Sequence, residues 1–264
     1  LRRTNPRLIT CSVTGYGSEG DALRKKAYDS LVQAESGICA VTGTPETPSR
    51  VGVSLTDLST GLTAFSAILR ALHQRHRTGK GIDIELSMFD VMADWMNMAL
   101  LSYRYYGGAP QRSGLTHSFV APYGAFNTKD DKQIMLSIQN NREWEIFCIE
   151  ILKDPNLIES PLYRNNTDRV KNKIALAALI NDVFMRDDKN VMIKKLEDAR
   201  IACASLNSVA EVSEHPFLRN RSVEFASMEI EIADLPVQTE AGSVTVVPKL
   251  GQHTTTIRAE FERY

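Results

Sequence analysis

With 264 residues, 43% apolar and 24% charged, the chain has room for one large or two modest domains and the composition of an ordinary globular protein. Its 31 Lys and Arg against 32 Asp and Glu leave a formal net charge of -1, which argues against nucleic acid or an anionic membrane as partner. No apolar run approaches the roughly 18 residues of a spanning helix, and Leu1 to Pro6 lack the apolar centre of a secretory leader, so a cytoplasmic protein is expected. Leu1 in place of methionine fits a fragment or a processed chain.

Asn5-Pro6-Arg7 leads into Leu8 to Val13, an apolar run with β-branched residues that reads as a buried strand. It ends in Gly15-Tyr16-Gly17-Ser18-Glu19-Gly20, a formal match to the dinucleotide fingerprint G-x-G-x-x-G. The context does not support it. Asp21 to Lys26 are polar and basic where a helix would have to pack on a sheet, and no acid-ended second strand follows at about 20 residues. A strand-to-helix turn is the expectation. Tyr28 to Val41 reads as a helix that loosens at Gly37, and Thr42 to Arg50 as a loop with two prolines.

Val51 to Gly61, V-G-V-S-L-T-D-L-S-T-G, changes character at its centre. Leu58, Leu62, Phe65, Leu69 and Leu72 recur at steps of four and three and so share one face of a helix running to about His76. Asp57 stands where extended chain enters this helix. That is the N-cap position, where a carboxylate accepts free amides and meets the positive helix end. Two roles are open on position alone: a plain cap, or an ionised carboxylate held ready for chemistry. Arg75, His76 and Arg77 suit the helix C-terminus, and Gly79 closes it. His73 and His76 lack a third ligand, and Cys11, Cys39, Cys148 and Cys203 form no C-x-x-C pair, so free thiols and no metal site are expected.

Gly79-Lys80-Gly81 turns into an alternating strand, Ile82 to Leu86, and not into the helix that a phosphate loop requires. Ser87 to Asp90 resembles a capping box opening a helix to about Tyr105, whose Met88, Met92, Met96 and Met98 suit a core or a subunit interface. Residues 107–122, with three glycines and two prolines, read as a crossing between domains. A hairpin over Tyr123 to Ile138 turns at Lys129 to Lys132, and helices follow over Asn141 to Leu152, Thr167 to Met185 and Lys189 to Ala199. Lys171, Lys173, Lys194 and Lys195 mark their solvated faces. A strand and turn over Ile201 to Val209, a helix start over Val212 to Phe217, strands around Phe225 to Ile232 and Ser243 to Val247, and a short last helix complete the chain. The expected fold class is α/β: a Rossmann-like large domain (1–122) interrupted by a small α+β domain (123–210), with a return segment (211–264).

No G-x-S-x-G elbow, H-E-x-x-H or P-loop is present. Read together, however, several segments resemble a class III coenzyme A transferase: Asn5-Pro6-Arg7-Leu8-Ile9, Gly15-Tyr16-Gly17, Tyr28-Asp29 before Gln33-Ala34, and Val51-Gly52-Val53 with Asp57. Arg77-Thr78-Gly79-Lys80-Gly81, Ala121-Pro122-Tyr123 and Leu250-Gly251-Gln252-His253-Thr254 continue the series, in order, over essentially the whole chain. The resemblance implies that Asp57 is a carboxylate nucleophile, passing through an aspartyl acyl anhydride and an aspartyl-CoA thioester. It implies acyl-CoA and carboxylic acids as substrates, coenzyme A thioester in the role of substrate and no separate cofactor, and an interlocked homodimer. An N-cap position would keep Asp57 ionised, and nearby amides could stabilise developing oxyanions.

By the same resemblance, Tyr28 lines the thioester pocket or is a packed core tyrosine. Gly114-Leu115-Thr116-His117 aligns with the mobile glycine-rich loop that covers the aspartate, although the run of glycines is absent. His117 either contacts an acceptor carboxylate or is a loop histidine without that role. The same fold hosts α-methylacyl-CoA racemases, which use a histidine shortly before the aspartate segment. Tyr28 occupies the corresponding place, and all five histidines follow Asp57. A phenol with a pKa of about 10 is a poor base at neutral pH, so transfer is preferred over racemisation. Family members carry a further N-terminal segment with most CoA contacts, which makes an inactive fragment or half of a split subunit a third expectation.

Overall fold

The first apolar run forms strand β1 (Thr10–Thr14), which pairs in parallel with β2 (Asp83–Ser87), Thr10 opposite Asp83 and Thr14 opposite Ser87. The computed structural model describes residues 2–237 and 245–262, and the chain separates into two compact units after Ser205. Parallel neighbours require a crossover. Here it runs through a 3-10 turn (Gly20–Arg24), α1 (Asp29–Glu35), α2 (Ile38–Val41) and the long α3 (Leu55–Thr78). Helix α3 ends on Gly79 at φ 73, whose amide donates to Arg75 O. Beyond it, Gly81 N donates to Pro6 O and Arg75 Nη1 to Arg7 O, so the end of α3 lies beside the start of β1. A Cβ on Gly81 would stand 1.9 Å from Leu8 O, which explains glycine there. The helix therefore runs back along the strands, and its N-terminus lies toward their C-terminal ends, the side on which open α/β sheets place ligands.

The Gly15–Gly20 segment is a turn, as its context suggested: Gly17 and Gly20 take φ 142 and 58, and only a five-residue 3-10 helix follows. The helix expected over Tyr28 to Val41 breaks at Gly37, whose φ of 89 separates α1 from α2. The five apolar residues of α3 do share a face, but that face is exposed, from 38% at Leu72 to 65% at Leu58. The buried side of α3 is small and mostly polar, Thr56, Ser59, Thr60 and Ala71. Ser59 Oγ returns its proton to Leu55 O at 2.7 Å, which lets a hydroxyl sit inside.

Strand β2 passes directly into α4 (Met88–Trp95), where Asp90 N donates to Ser87 Oγ at 3.0 Å and Ser87 Oγ donates to Asp90 Oδ2 at 2.7 Å. Helix α5 (Asn97–Tyr105) follows. Val32, Ile38, Val91, Met92 and Met96 form the core here; Met98 is 82% exposed and belongs to no core.

A second core in the same unit lies under an antiparallel sheet in the order β3 (Tyr123–Asn127), β4 (Gln133–Ser137), β5 (Cys203–Ser205). Ile134 and Leu136 point inward with Trp144, Phe147, Leu176, Ile180, Phe184, Met192 and Leu196. These come from α6 (Asn141–Ile146), the π-helical turn Phe147–Leu152 that continues it, α8 (Lys173–Phe184) and α9 (Lys189–Asp198). The helix expected over Thr167 to Met185 is interrupted at Asn172, which separates α7 (Asn166–Lys171) from α8. The buried Arg169 on α7 lies over the Trp144 ring at 5.0 Å and donates to Ala121 O, Tyr163 O and Asn141 Oδ1. With Asn166 bound to Phe119 O and Ala121 N, it fastens the segment that enters the sheet.

In the second unit, α10 (Val209–Ser213) begins earlier than expected because Ser208 and Glu211 form a capping box. The single strand expected around Phe225 to Ile232 is instead a hairpin of β6 (Asn220–Phe225) and β7 (Met228–Ala233). Ala226 and Ser227 make the turn at φ 52 and 67, a left-handed pair that neither side chain advertises. Of the strand expected over Ser243 to Val247, residues 243–244 lie outside the described residues; Val246 bridges to Glu224. Helix α11 (Thr254–Phe261) follows. No described helix is long and apolar enough to cross a membrane.

Phe184 is fully buried and meets the rings of Phe126 and Phe147 at 5.7 and 6.5 Å. Phe184→Ala is expected to lower the unfolding free energy by about 3–5 kcal/mol in a urea titration. Burial pushes the Cys148 thiol up to about 12, so this cysteine should resist alkylation in neutral buffer until the protein is denatured.

Candidate functional site

Asp57 is not the N-cap of α3. Ser54 holds that place, since its carbonyl accepts the first helical bond from Leu58 N, and Asp57 is the third helical residue. The Ser54 side chain makes no capping bond. The cap comes instead from α1, where Asp29 Oδ1 accepts Thr56 N at 2.8 Å and Asp57 N at 3.4 Å. A carboxylate brought in from another helix thus takes the two amides that a local cap would take, at the positive helix end.

Asp29 is itself held. Gln33 lies one turn along α1, where i and i+4 side chains meet. Its Nε2 donates to Asp29 Oδ2 at 2.8 Å, and its Oε1 accepts Val51 N at 2.9 Å. Gln33 is fully buried, with further approaches of 3.5 Å from Nε2 to Val51 O and Val53 O. Arg50 Nη1 bonds Val51 O and Gly52 O, both at 3.0 Å, from the other side of the loop. Two side chains of α1 therefore fix both the loop into α3 and its first turn.

Helix α1 is braced at its far end by Tyr16, which donates to Glu35 Oε2 at 2.6 Å, and by Lys25, which pairs with Glu35 and lies 4.2 Å from the Tyr16 ring. The hydrogen bond from Lys25, then that from Tyr16, hold Glu35 below the usual carboxylate range. Burial first, then the Glu35 bond and charge, push Tyr16 up to about 12. The Gly15-Tyr16-Gly17 turn thus supports the helix that carries the cap.

The Asp57 side chain is exposed and accepts no hydrogen bond or ion pair among the described residues. Its carboxylate is presented on a fixed backbone. The first-turn amides, however, are all taken: Leu55 N by Val53 O, Thr56 N and Asp57 N by Asp29, Leu58 N by Ser54 O. The expectation that neighbouring amides serve a developing oxyanion fails for this turn, because Asp29 already occupies them.

Tyr28, the N-cap residue of α1, is 72% exposed and is not a core tyrosine. Gly114 and His117 are tied elsewhere. Gly114, at φ 59, donates to Gly43 O at 2.8 Å, while Arg112 nearby donates to Thr44 O, Ala40 O and Pro45 O. The exposed His117 stacks on Tyr123 at 5.2 Å, and its Nδ1 accepts Phe119 N at 3.1 Å. It lines a cavity of about 160 Å³ with Thr116, Tyr123, Gly124 and Ile174. Neither residue makes a hydrogen bond or ring contact with Tyr28, Asp29 or Asp57. Asp29 and Gln33 carry the geometry, and no role for them was read from the sequence; the signal was an Asp and a Gln one helical turn apart, on the side of α1 that buries Val32. No group of three or more His, Cys, Asp or Glu able to hold a metal ion occurs among the described residues.

Comparison with known proteins places the chain in a family. Residues 1–254 match the family model described as CoA-transferase family III. The acetyl-CoA:oxalate CoA-transferase of Acetobacter aceti is 33% identical over 267 residues, covering 99% of this chain and 68% of its own length. The succinyl-CoA:glutarate CoA-transferase of Mus musculus is 33% identical over 269 residues, covering 98% of this chain and 61% of its own length. Thus the chain spans about two thirds of these relatives. Among solved structures, a CaiB/BaiF family protein from Brucella suis superposes with a TM-score of 0.81 at 28% identity, over 98% of this chain and 69% of that one. The chain belongs to CoA-transferase family III.

Proposed function

We propose that the protein moves coenzyme A between carboxylic acids, with Asp57 as the covalent relay. The observation that carries this reading is the state of Asp57: an exposed carboxylate without a partner among the described residues, on a helical turn whose backbone is fixed by a second carboxylate. A nucleophile needs a free lone pair and a held position, and Asp57 has both.

The reaction divides into four acyl transfers. An Asp57 oxygen attacks the thioester carbon of the donor acyl-CoA, the C–S bond breaks, and CoA leaves as a thiolate beside an aspartyl acyl anhydride. The thiolate attacks the Asp57 Cγ carbon, releasing the donor as its carboxylate and leaving an aspartyl-CoA thioester. An acceptor carboxylate attacks that thioester, again freeing the thiolate and forming a second anhydride. The thiolate then attacks the acceptor's acyl carbon, and Asp57 returns as a carboxylate. Acyl activation is retained throughout, so no nucleoside triphosphate is needed. Oxalate and glutarate, in the names of the relatives, are both dicarboxylates, which supports a dicarboxylate acceptor here. The homodimer, the cytoplasmic location and roles for Tyr28 in the thioester pocket, for Gly114 in a substrate-binding loop over Asp57 and for His117 at an acceptor carboxylate belong to the same proposal.

Hydroxylamine added to the full-length enzyme with acyl-CoA should leave a hydroxamate on Asp57, read by mass spectrometry. An unmodified Asp57 in an active preparation would sink the mechanism. Asp57→Ala removes the covalent nucleophile and is expected to cut kcat/KM by roughly a thousandfold or more. Deuterium entering the α-carbon of the acyl group with no acceptor acid present would instead identify a racemase.

A further inference from the structure

We propose that Asp29 and Gln33 are positioning residues for Asp57, acting as a two-residue clamp whose donor and acceptor order sets the placement of the nucleophile. The proposal rests on Asp57 being the nucleophile. Neither clamp side chain needs to touch substrate.

The order of polar atoms in the clamp is forced. Thr56 N and Asp57 N both require an acceptor, and Asp29 Oδ1 supplies it. Val51 N requires an acceptor too, and Gln33 Oε1 supplies that at 2.9 Å. The remaining pair, Gln33 Nε2 and Asp29 Oδ2, meets at 2.8 Å as donor to acceptor. Turning the amide over would place Oε1 against a carboxylate oxygen and Nε2 against an N–H, so the buried Gln33 fits one way only. A change at either residue that reverses hydrogen-bonding character therefore opposes two donors or two acceptors inside the protein, and the easiest relief is movement of the 51–57 backbone. That backbone carries Asp57. Displacement of a nucleophile by about 1 Å costs on the order of a hundredfold in rate.

The same logic gives a rescue. In Asp29→Asn the oxygen still accepts the two helix amides, but the new NH2 faces Gln33 Nε2, donor against donor. In Gln33→Glu the carboxylate still accepts Val51 N, but its other oxygen faces Asp29 Oδ2, acceptor against acceptor. With both changes together, the amide introduced at position 29 would donate to the carboxylate introduced at position 33. The bonds to the two helix amides, to Val51 N and between the two side chains are then restored, the last reversed in direction, and the long 3.5 Å approaches of Nε2 to Val51 O and Val53 O are the ones given up.

The experiment compares D29N, Q33E and the double variant D29N/Q33E in the full-length enzyme, measuring kcat and KM for CoA transfer, Asp57 hydroxamate yield and melting temperature. Each single variant is expected to lower kcat about tenfold or more with KM nearly unchanged, and the double variant to recover to within about threefold of the wild type. Single variants with wild-type kcat, or a double variant as slow as the product of the two single effects, would overturn the clamp. A merely structural pair would move the melting temperature without moving kcat, which also counts against it. Should the single variants not fold, amide hydrogen exchange of the 51–58 peptide in the wild type decides: protection is expected, and exchange at the rate of an open loop overturns the proposal. Failure of the underlying reading looks different, because an active D57A enzyme would remove the nucleophile, and the clamp's catalytic purpose with it, while exchange protection of 51–58 persisted.

Discussion

The carboxylate of Asp29 at the foot of α3 is the interaction on which the site depends. A helix N-terminus presents free amides and a partial positive charge, and some acceptor must satisfy them. In most helices that acceptor is the residue just before the first turn. Here Ser54 leaves the task to α1, so capping also becomes a tertiary contact that joins two helices at the point where the chemistry is proposed. Asp57 is thereby released from capping, and its own oxygens stay free.

Away from that contact, too, single side chains hold irregular backbone. The Gly15-Tyr16-Gly17 turn opens a formal match to the dinucleotide fingerprint, but its tyrosine braces Glu35 at the end of α1. Arg112 holds the 40–45 loop by three carbonyls, and Arg169 holds Ala121 and Tyr163 beneath a tryptophan ring. In both arginines one planar donor group collects carbonyls that a loop cannot satisfy by itself, which is how irregular segments are kept in place without regular structure. These connections are consequently more constrained than their glycine and proline content suggests.

Much of this was legible in the sequence because it follows from local periodicity. The steps of four and three in α3, the alternation of β2, the break at Gly37 and the Ser87 cap all appear where their patterns stand. What was not legible depends on groups far apart in the chain. A cap supplied from 27 residues upstream leaves no mark in the segment it caps, so Asp57 looked like the cap itself. The turn at Ala226-Ser227 uses residues that normally avoid left-handed backbone, and two strands were read as one. Periodicity also says which α3 residues share a face, but not whether anything covers it; among the described residues that stripe faces water.

The inner side of α3 has a mechanical consequence. Thr56, Ser59, Thr60 and Ala71, the buried residues of α3, are short, and Ser59 bonds back to its own helix, so at these positions the α3 backbone lies close to its neighbours. Long side chains in a contact act as springs, changing rotamer to absorb a shift. Short ones act as hard stops. At about 1.5 Å per residue the 24-residue helix is a rod about 36 Å long. It is seated on hard stops along one side and fastened to Arg7 near its far end. The placement of Asp57 therefore depends on close packing toward both ends of the rod, at Thr56, Ser59 and Thr60 and again at Ala71, and not only on the turn that carries it.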